Sequence, residues 1–418
     1  MNKIQQILFL ILFPLYPFWA MLTFHFTGRY VNIFTEVVFI PFAIYIVIFK
    51  KIRFPIYLIF LFLFTIFHLF SFFINDLGKN QSLAYILLSD LNILACTVLF
   101  VAENTHFEDS LILWMTRLIL VVVGISLVVS VIQVKNPFFL VSPDITTSVS
   151  GIVYLQQHRD FSIYSWININ SVGITFPIFI SILLSFSNQI KNSLPFTIVT
   201  GIAVAFLTRA RYTMMSTLIV LSQLFFNAKI ELKRKFYISL IFVCSIVFLA
   251  VIANVYGYDI QQVVSDRILE KKTGLSSFNA RVTSYEVFKL VFPEHPLLGV
   301  GPETRADVVQ LLGGVAPLIH IGYLSYLYFY GILGSLLIFS ALFFLLRDGW
   351  LIGKRQNYWG SFYGMIAFCF ANLTFVYFNF SEPGVVLAIV YLVYFKDKQA
   401  ERDHFKPIPI KIQDKPCP

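Results

Sequence analysis

Three kinds of side chain in this sequence can do polar chemistry, and they gather in its second half. Arginine is the first: Arg209 and Arg211 in T-R-A-R-Y at 208–212, Arg281 in F-N-A-R-V-T-S-Y-E, and Arg305. A guanidinium stays charged, and its planar fork can take two phosphate oxygens at once. The second is His320, which closes the glycine-punctuated stretch 293–320. An imidazole titrates near neutrality and can orient or deprotonate a hydroxyl. Carboxylates are the third, in Glu294 and Glu303. Either can serve as a base, although Glu303 falls in the first turn of a helix expected over 303–312, where a carboxylate ordinarily compensates the helix dipole. His295, paired with Pro296, reads as a turn residue. Tyr323, Tyr326 and Tyr330 follow at helical spacing, which suits stacking on sugar rings and suits an aromatic belt at a membrane interface better.

The elements that must hold these residues are hydrophobic. Of the 418 residues, 58% are hydrophobic and 13% charged, and long apolar runs recur from end to end. Roughly 20 apolar residues cross a bilayer as a helix, and a bilayer cannot hydrate an open strand edge. The expectation is an all-α, polytopic integral membrane protein with about twelve spans. They fall near 4–24, 31–49, 55–74, 82–102, 111–134, 167–187, 195–207, 212–228, 236–256, 320–346, 360–378 and 384–395. The membrane domain is therefore 1–395, with extracytoplasmic loops at 135–166 and 257–319, and 396–418 is expected to be a disordered cytoplasmic tail. The first span is too long for a signal peptide and lacks a small-residue cleavage site, so it reads as an anchor.

Charge sets the orientation. With both termini inside, the inner short segments carry twelve lysines and arginines, Lys50, Lys51, Arg53, Lys233, Arg234 and Lys235 among them, against Arg29, Lys79, Arg209 and Arg211 outside. That asymmetry follows the positive-inside rule. The formal net charge of +9 is thus a topology signal, and no nucleic acid partner is needed to explain it. Cys96, Cys244 and Cys369 fall in spans and Cys417 in the tail, which gives no outer disulfide framework and no thiolate metal cluster. Neither cofactor nor metal is expected. In the outer loops, Ile260, Val263, Val264 and Ile268 share one helical face, and Val282, Tyr285, Phe288 and Phe292 another. Within the spans, Glu36, Asp90 and Arg117 should face the bundle interior, Asp90 and Arg117 as an ion pair.

One stretch carries a resemblance. The pattern H-P-L-L-G-V-G-P at 295–302, followed by H-x-x-Y-L from His320 and G-x-x-G at 331–334, resembles the signature of the bacterial O-antigen ligase and O-antigen polymerase families. T-R-A-R resembles those families' T-x-S-R, with Arg211 in the arginine position and Ala210 where serine is common; Ile321 stands where a small polar residue usually follows the histidine. The resemblance implies a metal-independent glycosyltransferase of the bacterial cytoplasmic (inner) membrane. Its donor would be an undecaprenyl-diphosphate-linked glycan. Arg209, Arg211, Arg281, Arg305 and Tyr323 would bind substrate, with His320 or Glu303 as catalyst. Membrane lipid, and a flippase and chain-length regulator of the same pathway, are the implied partners. The two long outer loops favour a polymerase of O-antigen or capsule repeats. An Arg-x10-Gly pattern known from some polymerases is absent, which keeps open a ligase acting on lipid A core or protein. A glycan-lipid flippase or other transporter would need mid-membrane polar sites and broken helices, whereas the polar residues of this sequence concentrate in one outer loop.

Overall fold

In the computed structural model, the described residues are 2–27, 37–76, 91–143, 146, 162–166, 171–208, 211–226, 232–255, 277–301, 321–373 and 379–404. Among them there are helices and no strands. In chain order they are α1 (Asn2–Leu12), α2 (Tyr16–Thr27), α3 (Ile40–Phe49), α4 (Ile56–Asp76), α5 (Leu91–Glu103), α6 (Asp109–Lys135), α7 (Ser171–Ser185), α8 (Ser193–Leu207), α9 (Arg211–Phe226), α10 (Leu232–Val255), α11 (Ser277–Val291), α12 (Gly322–Gln356), α13 (Gly360–Ala371) and α14 (Pro383–His404). A helix satisfies its backbone polar groups within one segment, which an apolar phase demands.

Ile56–Ile74, Asp109–Lys135 and Gly322–Gln356 are long and apolar enough to cross a bilayer. Asn2–Leu12 and Tyr16–Phe26 pass together as a pair bent by 81°, where the sequence suggests one unbroken span, and seven further apolar helices are shorter. Many large apolar side chains face outward, among them Ile66, Phe70, Val121, Val128, Leu336 and Phe343, as a lipid-facing surface requires. The chain is a multi-pass membrane protein.

The short helices α7, α9 and α13 pack together with α14. Ser181 Oγ donates to Gly360 O at 2.8 Å, and an added Cβ on Gly364 would stand 3.1 Å from Ile178, so α7 and α13 run side by side in opposite directions. Ser216 Oγ donates to Ala367 O, and Ser361 Oγ to Ala388 O, which set α9 and α14 against the same α13. A Cβ on Gly384 would lie 2.7 Å from Thr175 Cα. The first turns of α7, α9 and α14 and the last turn of α13 therefore occupy one layer. From Phe344, which stacks on Phe60 near the start of α4, to Gly334, which touches Phe67 at its middle, α12 runs antiparallel to α4.

The opposite end of the bundle is held by ions. Lys396 Nζ reaches Asp348 at 2.9 Å and Glu103 at 3.8 Å, Arg53 pairs with Asp397, and Lys398 reaches Asp109 at 2.7 Å. Glu103 is buried and also accepts the Tyr57 hydroxyl at 2.7 Å. Three consecutive residues of α14 thus engage α5, α6, α12 and the chain before α4. This requires α14 to continue through 396, where the sequence suggests a disordered tail to begin; helix persists to His404, and 405–418 lie outside the described residues.

Arg117 differs from expectation. It is exposed on the surface of α6 with its guanidinium 5.1 Å from the Trp114 ring, and Asp90 and Glu36 lie outside the described residues. Eight residues from the Asp109 end, a long side chain can run along the surface toward the headgroups and keep its charge solvated, which removes the need for an interior partner.

Candidate functional site

The loop with the H-P-L-L-G-V-G pattern is seated in a break of α12. Gly331 has φ 60° and ψ −163°, dividing the helix into limbs 322–330 and 332–356. A helix end leaves carbonyls without partners and a helix start leaves N–H groups without them. The loop supplies both. Val300 N donates to Tyr328 O and Gly301 N to Phe329 O, each at 3.0 Å, while Ile332 N and Leu333 N donate to Pro296 O and Leu297 O at 2.9 and 3.2 Å. Unpartnered backbone groups at membrane depth cost several kcal/mol each, so the loop is what makes the break tolerable.

Close approach explains the glycines. A Cβ on Gly299 (φ +71°) would stand 2.4 Å from Phe329 C and O, and one on Gly331 would stand 2.4 Å from Leu297 C and O. Both positions need a positive φ and backbone-to-backbone contact, which suits glycine alone. The expected single span over 320–346 is accordingly two limbs. A broken helix, which the sequence reading associated with transport, is present, and its freed groups are taken up by the loop.

Beyond the break, the short limb folds back along the long one. Tyr323 lies against Phe339 with ring centroids 5.5 Å apart, and its hydroxyl donates to Cys369 O at 2.8 Å. Residues 323 and 339 of a straight helix would be separated by about 24 Å. Phe339 is eight residues past Gly331, so the short limb starts roughly 12 Å below the break. Gly322 N donates to Asn372 O at 3.1 Å, which puts the start of this limb at the end of α13 and beside the layer formed by α7, α9 and α14.

Four helix starts therefore meet at one depth: Ser171, Arg211, Gly322 and Pro383. Each carries partial positive charge at its N-terminus, and together they favour an anion. The segments leading into these starts include the residues singled out from sequence. Arg211 is the first residue of α9, and the neighbouring Tyr212 ring covers Gly173 of α7. Arg209, Glu303, Arg305 and His320 lie outside the described residues, as do 257–276, with Ile260, Val263, Val264 and Ile268, and the helix expected over 303–312. In sequence, His320 immediately precedes Ile321, the N-cap position of the short limb.

Arg281 is half-buried in the second turn of α11. That helix buries Ser284 and Val287 and leaves Val282 and Tyr285 exposed, so the face expected from Val282, Tyr285, Phe288 and Phe292 is rotated; Phe288 and Phe292 are half-buried and stack on each other at 4.7 Å. A polar Ser284 at the contact moved the seam, which a hydrophobicity pattern cannot register. Glu286 faces Lys289 at 3.9 Å. Glu294 and His295 are exposed in the turn leading into the seated loop. Tyr326 and Tyr330 are buried against Phe64 of α4, and Tyr330 OH lies 2.8 Å from His68 Nδ1, so these two rings belong to the packed junction of α4 and α12.

Sequence reading passed over three polar residues of the layer: Ser325, Asn372 and Glu382. All are buried. Their signal was present, since Glu382 and Asn372 flank an apolar run where polar atoms are costly. Among the described residues no group of three or more His, Cys, Asp or Glu side chains is placed to hold a metal.

No curated protein matches the sequence. One family model does, over residues 196–339, from α8 to the first turns of the long limb of α12; its description is O-antigen ligase. The matched stretch encloses Arg209, Arg211, Arg281, Arg305, His320 and the seated loop, and over it the chain is similar to the O-antigen polymerase and ligase superfamily.

Proposed function

We propose that this protein polymerises undecaprenyl-diphosphate-linked oligosaccharide repeat units into surface polysaccharide, O-antigen or capsule, on the outer face of the bacterial cytoplasmic membrane. Polymerase or ligase activity of the O-antigen type is what the family match supports. The observation that carries the reading is that the matched stretch contains two of the four helix starts that share one layer, those at Arg211 and Gly322, and that His320 stands two residues before Gly322 in sequence. The finer choice of polymerase rests on the two long outer segments, 135–166 and 257–319, in a twelve-span arrangement with both termini inside.

The chemistry asks little of the protein beyond charge and position. An acceptor hydroxyl attacks the anomeric carbon of the donor sugar, the bond from that carbon to the diphosphate oxygen breaks, and the hydroxyl proton passes to a base. Arg211, with Arg209, Arg281 and Arg305, stabilises the departing undecaprenyl diphosphate, and the positive helix starts add to that field. His320 orients the acceptor and takes its proton, with Glu303 as the other candidate. Tyr323 belongs to the same substrate region through its place in the first turn of the short limb. No metal is required, because the leaving group already carries charge that arginines can hold.

Deletion of the gene followed by electrophoresis of surface glycan tests this directly. Shortening of the ladder to a single repeat is the expected result. Loss of all polymer from the acceptor, with lipid-linked polymer accumulating, would identify a ligase to lipid A core or protein, and an unchanged ladder would remove the chain from this pathway.

A further inference from the structure

Resting on that reading, we propose that Ser325, Asn372 and Glu382 form a subsite that binds hydroxyl groups of the acceptor glycan. Three features place them together. Asn372 ends α13, and its carbonyl takes the Gly322 N–H at 3.1 Å, one turn before Ser325. Its Nδ2 donates to Phe368 O at 2.8 Å, and the Phe368 ring meets Phe380, two residues before Glu382, with centroids 5.6 Å apart. Glu382 caps α14 at the layer occupied by Thr175 of α7, through the contact of Gly384 with that residue.

The chemistry of these atoms selects a ligand class. Ser325 and Asn372 are fully buried, and Ser325 Oγ and Asn372 Oδ1 have no hydrogen-bond partner. Buried oxygens without a partner among the described residues carry a desolvation cost that a ligand can relieve. Asn372 Oδ1 and the Glu382 carboxylate are acceptors, and a serine hydroxyl both accepts and donates. A phosphate would be repelled by a carboxylate and could supply no protons to these acceptors. A sugar supplies hydroxyl protons to every one of them. The layer is thus divided by charge: arginines and helix starts for the diphosphate, neutral and anionic oxygens for the hydroxyls of the incoming glycan.

The test uses full-length protein in detergent or nanodiscs, with the lipid-linked repeat that accumulates in cells lacking the gene as substrate. Glu382→Gln and Asn372→Ala should each raise KM for extension about tenfold or more, while binding of undecaprenyl diphosphate, measured separately, stays within about twofold of wild type. Binding of the free oligosaccharide, released from its lipid by mild acid, should weaken in parallel. Unchanged KM and oligosaccharide binding would overturn the subsite. Equal loss of oligosaccharide and undecaprenyl diphosphate binding would also overturn it, since that marks a role in the fold. If wild-type protein binds the oligosaccharide through these residues yet does not extend it, polymerisation fails and the subsite stands.

Discussion

Gly299→Ala isolates the seating of the loop from every charged residue of the site. The new methyl would sit 2.4 Å from Phe329 C and O and 2.5 Å from Tyr330 N, at a backbone φ of +71°. Left-handed conformation costs a non-glycine residue about 1–2 kcal/mol, and a clash that backbone must relieve costs about 1–3 kcal/mol. The alternative is for the loop to lift out, which gives up the four backbone bonds to Tyr328, Phe329, Ile332 and Leu333. At about 1 kcal/mol net for each bond, that is roughly 4 kcal/mol. Both routes point to a penalty of about 2–5 kcal/mol, a shift of roughly 30- to several-thousand-fold against the seated state. In cells carrying the variant as sole copy, we expect little or no polymer ladder at near-normal membrane abundance, and engineered disulfide trapping between positions 297 and 332 should fall in step. Leu298→Ala, a 41% exposed neighbour, is the control and should behave as wild type. A full ladder from Gly299→Ala would refute the idea that seating the loop shapes the site.

Four other outcomes are expected. Arg211→Lys should lose most activity along with Arg211→Ala, because lysine keeps charge and loses the fork; full activity of the lysine variant in a glycan ladder assay would make Arg211 an interfacial anchor. His320→Ala should abolish extension of a lipid-linked repeat while leaving undecaprenyl diphosphate binding intact, and excess chelator should leave wild-type turnover unchanged; normal polymerisation by the variant would turn attention to Glu303 and Glu294. Cysteines introduced at 275 and 310 should react with an impermeant thiol reagent in intact or outer-membrane-permeabilised cells and one at 400 should not, the reverse pattern inverting the topology. Lys396→Met should lower thermal stability in detergent by several degrees, since it leaves the buried Glu103 without its cation; a melting temperature within about 1 °C of wild type would show that pair to be idle.

Much of the helical layout was legible because long apolar runs leave few alternatives. A helix lies in each of the twelve stretches marked from sequence, and the marked ends agree closely for α4, α6, α8 and α9. What escaped was set by single residues acting across the fold. Gly331 sits inside a continuous apolar run, and hydropathy is blind to a positive φ that exists because Leu297 approaches from 34 residues away. The end of α14 was cut short at 395 because Lys396, Asp397 and Lys398 look like a solvated tail until their partners on four other segments are known. The arginines and the histidine stand out in sequence through their motif, whereas Ser325, Asn372 and Glu382 have no local pattern. Only packing reveals that they share a depth.

The ionic clasp of α14 bears on how the protein is made. A chain inserted from its N-terminus exposes Glu103, Asp109 and Asp348 before Lys396 and Lys398 leave the ribosome, so the carboxylates of three earlier helices wait for α14. Only when α14 arrives are those charges matched and the ends of the bundle at the clasp drawn together. α14 then acts as a keystone, and its arrival checks the helices inserted before it. Quality-control proteases would meet unpaired carboxylates on any chain that stops before 396, whereas a tag appended beyond His404 leaves the clasp whole.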